Sequence, residues 1–180
     1  MATAMERSVM KKFAGYPFQP AERNKKGELI FRKGKLIRWF VYAAFVLGVI
    51  ALIGSSYIDD YDADEQVLFV FCVGIEVVLF AFLSLVVAIT KIRVTEHSLF
   101  SYRWYGTKFI HFSEVTQVGY SRFYGGIFIL KTSQRTVRIP AENVGTAELV
   151  KLLVEKVGDE KCAQAVAFMN KRKQEFAGLG

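Results

Sequence analysis

Two apolar runs constrain this chain more than any other feature. Trp39–Ile58 is 20 residues without a charge, and Val67–Thr90 is 24 residues with one, Glu76. A helix needs about 20 apolar residues to cross a hydrocarbon core of roughly 30 Å, and both runs meet that length. A core helix of a water-soluble domain keeps a polar face, whereas WFVYAAFVLGVIALIG shows none. The runs also explain a mean hydropathy of +0.25 in a chain that is 23% charged. The first run begins at residue 39, exceeds the apolar stretch of a signal peptide and lacks an A-x-A cleavage pattern. It is expected to remain as a span, making the chain an integral membrane protein with a two-helix hairpin over 39–90.

Charge predicts the orientation. Residues 1–38 carry ten Lys and Arg against three Glu, the connector Tyr57–Gln66 carries five acids and no base, and residues 91–180 carry fourteen bases against eight acids. Lys and Arg resist translocation and are drawn to anionic lipid. Both termini are therefore expected in the cytoplasm and the acidic connector outside. The same asymmetry accounts for the pI of about 9.4, so no nucleic-acid partner is expected. Trp39 and Tyr42 would begin one interfacial aromatic belt, and Tyr57 and Tyr61 would mark the other. Cys72 falls in the second span and Cys162 in the tail, which excludes a disulfide framework and fits a reducing compartment.

The flanks divide further. Residues 1–38 hold two of the three prolines, and YPFQPAERNKKG reads as irregular chain in a basic cytoplasmic segment. Beyond the hairpin the period shortens to two. KIRVT reads as the first strand, and SLFSYRW as the second, with Phe100, Tyr102 and Trp104 on one face and Ser101, Arg103 and Tyr105 on the other. TKFIHF, SEVTQVGYS, IFILKT and RTVRIP follow, with turns at Gly106, Gly125-Gly126 and Ser133-Gln134. After Pro140 the period becomes helical. Thr146 is a candidate N-cap, Leu149, Leu152, Leu153 and Val157 share a stripe, and Gly158 stands where a helix would end. Asp159 would cap a last helix ending near Phe176, with Lys171, Arg172 and Lys173 favourable to its dipole. A module over 91–158 followed by a C-terminal helix and tail over 159–180 is the expected division. The helix would cover the open face of the small curved sheet.

The order of two membrane helices, then KIRVTEHSLFSYR, FSEVTQV, GIFILKT, VRIP and a Leu-rich helix resembles the bacterial pleckstrin-homology-like (PH-like) membrane proteins. The resemblance covers the spans and about Thr90 to Val157. Thr95 and Leu99 match a T-x-x-x-L turn of such modules. Ile110, Phe112, Ser113, Val115 and Val118 match I-x-[FW]-[ST]-x-[IV]-x-x-V. It implies a membrane α-helical hairpin plus an α+β or all-β PH-like sheet, or partial barrel, with a C-terminal capping helix. It further implies a bacterial inner-membrane location. Phosphoinositide-binding members of the wider superfamily use basic residues between their first two strands. Here that loop is Glu96-His97-Ser98, without Lys or Arg, which argues against that kind of head-group site.

No catalytic, cofactor or metal residue is assigned. CxxC, HExxH, G-x-S-x-G around Ser113 and a Walker lysine near Gly119, Gly125 and Gly126 are all missing from the sequence. His97 and His111 have no Cys or Asp cluster in sequence and are expected at the surface or in packing. Basic positions on the module are Lys108, Arg122, Lys131, Arg135 and Arg138. With Phe123 and Tyr124 they form a candidate membrane or partner surface, the Arg122–Tyr124 loop reading equally as a surface-dipping element and as a packed corner. Glu76 lies near mid-membrane, where an ionisable group costs about 2.5–3.5 kcal/mol or more unless paired or protonated. It reads as a neutral carboxyl hydrogen-bonded at a helix interface, as a snorkelling group or as part of a proton relay. The expected function is a non-enzymatic membrane-anchored module that binds a protein partner, itself or anionic lipid, without a cofactor. The alternative is an oligomeric accessory or pore-forming subunit with Glu76 in the span interface.

Overall fold

The computed structural model describes residues 4–55 and 63–178; the first part of the acidic connector, with Tyr57 and Tyr61, lies outside them. The chain forms two compact units, one of residues 1–34 and 90–180, the other of Lys35–Ile89.

The second unit is the apolar hairpin: α2 over Lys35–Ser55 and α3 over Ala63–Ile89. Each contains a stretch long and apolar enough to cross a membrane, Lys35–Ser55 and Val67–Ile89. The helices pack at Gly48, where a Cβ would come within 3.0 Å of the Val77 side chain. Elsewhere they leave large residues exposed, among them Phe40, Leu47, Ile50, Val78 and Leu79.

In the first unit, helix α1 (Ala4–Gly15) and a short turn at Tyr16–Phe18 lead into two brief strands, β1 (Glu22–Arg23) and β2 (Leu29–Phe31). After the hairpin come β3 (Lys91–Val94), β4 (Ser98–Arg103), β5 (Gly106–His111), β6 (Gln117–Ser121), β7 (Ile127–Lys131) and β8 (Thr136–Pro140). Helices α4 (Thr146–Val157) and α5 (Asp159–Ala177) close the chain. Strands β1 to β5 form one antiparallel sheet in sequence order, and β6 to β8 a second. All six strands expected after the hairpin are present. KIRVT, however, is not the first strand of its sheet: β2 pairs with it, Phe31 opposite Ile92 and Leu29 opposite Val94. Within YPFQPAERNKKG, expected to be irregular, only the turn at Tyr16–Phe18 and the two-residue β1 are regular. α1 and β2 flank it, so the N-terminal segment as a whole contributes a helix and two strands.

One core joins both sheets and the two C-terminal helices. Phe31, Leu99 and Ile110 from the first sheet and Phe128, Leu130 and Ile139 from the second are fully buried with Leu149 and Leu153 of α4. Helix α5 belongs to that core through Cys162, Ala165 and Met169. It also runs along the free edge of β6: Tyr120 N–H donates to Gln164 Oε1 at 3.3 Å, and Lys161 Nζ donates to the Val115 carbonyl at 3.2 Å. Covering an edge in this way removes a template for unwanted strand pairing.

The N-terminal segment is tied in closely. Gly145 N–H donates to the Tyr16 carbonyl at 3.2 Å, and Val144 N–H to the Arg32 carbonyl at 3.0 Å. Two glycines make this fit. A Cβ at Gly34 would land in the Tyr16 ring, and one at Gly145, which holds φ of +80°, would lie 2.6 Å from Ala21 Cβ. Gly145, not Thr146, is the N-cap of α4; the buried Thr146 hydroxyl instead donates to the Asn143 carbonyl at 2.6 Å. Gly158 ends α4 as expected, and it also precedes α5 in the cap position that Asp159 was expected to hold.

Candidate functional site

The β4–β5 sheet alternates about Leu99 and Ser101, which are buried, and Phe100 and Tyr102, which are not. The aromatic face is thus the outer one. There Phe100 stacks on Phe109 with ring centroids 6.0 Å apart, and Arg93 lies 4.8 Å over Phe100. Lys91 lies 5.3 Å over Tyr102, and Arg135 5.1 Å over Phe109. Cations over aromatic faces are attracted by the ring quadrupole, so these side chains hold one another in place.

On the opposite face, near the end of the strands, the core runs out. Ser101, Arg103 and Lys108 follow Leu99 and Ile110 along the same side, because Leu99 pairs with Ile110 and Ser101 with Lys108. With Tyr105, Thr136, Val137 and Arg138 they line a cleft of about 260 Å³. Arg103 Nη1 donates to the Tyr105 hydroxyl at 2.8 Å, and its other terminal nitrogen to the Arg138 carbonyl. The lining holds three cations and no carboxylate, so the cleft favours an anionic guest. It brings together Lys108 and Arg138 of the expected surface, whereas Arg135 lies over Phe109 on the outer face and does not line it.

Arg122 belongs to a second cluster. The turn between β6 and β7 places it against α5, where Tyr120, Arg122, Gly125, Gln164, Phe168, Lys171, Arg172 and Glu175 surround an open cavity of about 770 Å³. Arg172 donates to the Gly125 carbonyl at 2.8 Å, and Tyr120 stacks on Phe168 at 3.8 Å. Burial pushes the Tyr120 phenol up, Arg172 and Arg122 draw it down, and Glu175 adds to the rise. Phe123 is 71% exposed beside this cavity, and the Tyr124 side chain lies outside the described residues. Lys131 is exposed on β7, opposite Gln117 and Thr136, and lines neither cavity.

The remaining candidates have local explanations. Ser98 Oγ and His111 Nδ1 are 2.7 Å apart across the β4–β5 ladder. His97 stands exposed in its turn beside Glu96. No group of three or more His, Cys, Asp or Glu able to hold a metal occurs among the described residues. Glu76 is exposed on α3, next to Val77 but outside the contact that Val77 makes with Gly48. Lys33, half-buried at the end of the N-terminal segment, pairs with Glu142, and desolvation draws the ammonium down.

Arg103, Lys171 and Arg172 were not expected in a site. Arg103 reads in sequence as one more alternating strand residue, and the other two as charges suited to a helix end. The signal for Arg103 is the string RWYGTK, in which two bases bracket an aromatic turn. No family model, curated protein or solved structure matches the chain.

Proposed function

We propose that this chain is a membrane-anchored, non-catalytic interaction module. A PH-like unit at the cytoplasmic face of a bacterial inner membrane presents basic clefts to anionic lipid or to an acidic surface of a protein partner. The observation that carries the proposal is the insertion of the two apolar helices between β2 and β3, strands that pair directly. A unit built from chain on both sides of the hairpin requires both ends of that hairpin on one side of the bilayer. This agrees with the basic flanks and acidic connector. The PH-like part is supported by the two antiparallel sheets and by α4, whose Leu149 and Leu153 enter the core they share.

The test is photo-crosslinking of the full chain in its native membrane, with the crosslinker at Lys108 or Arg138 and, for comparison, at exposed Lys25 far from the cleft lining. A discrete lipid or protein adduct formed at the first two positions and not at the third is expected. Equal, diffuse labelling at all three would overturn the interaction role.

A second reading has one observation of its own. Glu76 faces outward from the hairpin, where in a bilayer it has strong reason to meet another subunit. An oligomer of the full chain in mild detergent that dissociates on Glu76→Leu would favour an assembled accessory or pore-forming subunit. A monomer in both forms would remove that reading.

A further inference from the structure

The β4–β5 hairpin ends in two large side chains to which the clefts give no full account. Trp104 and Tyr105 form its two-residue turn between the paired Arg103 and Gly106. They are 56% and 57% exposed and meet edge to face, ring centroids 5.5 Å apart. Presenting both rings to water at the tip of a hairpin wastes their apolar area, whereas the boundary between lipid headgroups and acyl chains suits an apolar ring with a polar handle.

Strand register says which end of the unit this tip occupies. Lys91, the first residue of β3, lies opposite Tyr102, and Phe31, the last of β2, lies opposite Ile92. The chain therefore passes into both apolar helices from the end of the sheet where β4 turns into β5. Trp104 is two residues past Tyr102, about 7 Å further along at strand rise. The β6–β7 turn lies at this end as well. Glu142, which pairs with Lys33 just before α2, has its carboxylate 3.4 Å from where a Cβ on Gly125 would sit. Arg103, Lys108 and Arg138 stand directly behind the tip with no acid among the residues lining their cleft.

We propose that the Trp104–Tyr105 tip inserts into the headgroup region of the bilayer that holds α2 and α3. Arg103, Lys108 and Arg138 engage anionic lipid phosphates beside it. The inference rests on the membrane-anchored reading and names the element by which the unit meets the surface. Juxtamembrane bases are attracted to anionic leaflets over a distance no longer than the Debye length, and insertion of the tip would bring these within it.

The chain has two tryptophans, Trp39 in α2 and Trp104 at the tip, which makes the test direct. Full-length protein carrying Trp39→Phe is placed in bilayer discs of phosphatidylglycerol or phosphatidylcholine, with and without bromine on the acyl chains. The expected result is a blue-shifted Trp104 emission that loses intensity on brominated phosphatidylglycerol. The loss should be smaller on brominated phosphatidylcholine, and smaller when Lys108→Gln is added. A water-like Trp104 emission, equal on brominated and plain lipid, would overturn the insertion. Quenching indifferent to lipid charge would overturn the anionic engagement. Protein carrying Trp104→Phe separates this from the premise. Quenched Trp39 with unquenched Trp104 rejects the tip alone, and failure of both rejects the membrane anchor.

Discussion

The hairpin and the β unit are made from the same kinds of residue and treat them oppositely. In α2 none of the most apolar window is buried, and in α3 only 6% of it is. In the β unit Phe31, Leu99, Ile110, Phe128 and Leu153 reach full burial. The β unit takes its apolar area out of water by its own packing, whereas the hairpin, anchored as proposed, would rely on lipid as the second phase. Lipid tails are as apolar as leucine, so a hairpin side chain gains little from its neighbours. A core side chain depends on every neighbour, because a vacated volume stays partly empty.

The most severe way to break that contrast is to remove residues 1–34. The sheet would lose β1 and β2, and the core would lose Leu29 and Phe31. Loss of cooperative melting is expected, with the hairpin still membrane-bound. In a Cys72→Ala background the readout is the rate at which buried Cys162 reacts with a thiol reagent in the full-length membrane-embedded protein. Retained protection of Cys162 would show that the N-terminal strands are an accessory to the core. A fragment starting at residue 91 has the same deficiency and is expected to fail as an independent domain.

Single substitutions sharpen the contrast. Phe31→Ala should cost about 3–5 kcal/mol and Leu153→Ala about 2–5 kcal/mol. Leu79→Ala on the exposed surface of α3 should cost less than about 1 kcal/mol, since lipid fills the space. Comparable losses at all three, measured by the same protection assay against temperature, would mean that the hairpin surface is packed against protein.

Glycines extend the comparison to the backbone. Gly145→Ala forces a left-handed residue at about 1–2 kcal/mol and meets Ala21 at 2.6 Å, so a lowered melting temperature is expected. Gly74→Ala, with open space around it in α3, should be neutral or favourable by up to about 1 kcal/mol through helix propensity.

The smallest effect is alkaline. Burial, then Asp159, push the Cys162 thiol up, partly opposed by Lys161. A raised pKa in the folded state means that stability is full below the ordinary thiol range and declines as pH rises through the folded value. Denaturation of wild-type and Cys162→Ala protein at pH 7 and 10 should show a shallower alkaline loss in the variant. Equal slopes would assign the alkaline loss to other groups.

Residue pattern makes some of this molecule legible and hides the rest for physical reasons. Long runs of one period are readable, so the hairpin, the six strands after it and the Leu stripe of α4 are all visible in the sequence. β1 and β2 are two and three residues long, too short to display alternation. The partner that makes β2 a strand stands beyond two helices. α5 shows its core face only in part: Val166, Phe168 and Met169 read as apolar, whereas Cys162 and Ala165, which complete that face, stand among many charges. In the candidate site, Lys108, Arg135 and Arg138 are visible as bases on strands. The convergence of Lys108 and Arg138 on Arg103 depends on how two sheets meet, which no local pattern encodes, and the same holds for Arg122 beside Lys171 and Arg172. Arg135 lies over Phe109 on the other face.

The pairing of β2 with β3 also imposes an order of events on synthesis. Phe31 leaves the ribosome well before Ile92, its partner across the ladder. At about 5–20 residues per second the strand waits several seconds for its partner, the interval in which the apolar segments of the proposed anchor would enter the bilayer. Such a contact is slow to form because a long loop must close first. In the proposed membrane-anchored form, insertion of both helices would close that loop. If only one crossed, β2 and β3 would be left on opposite sides of the membrane and Phe31 would have no core to enter. In that form, completion of the ladder would then report that both helices had been inserted.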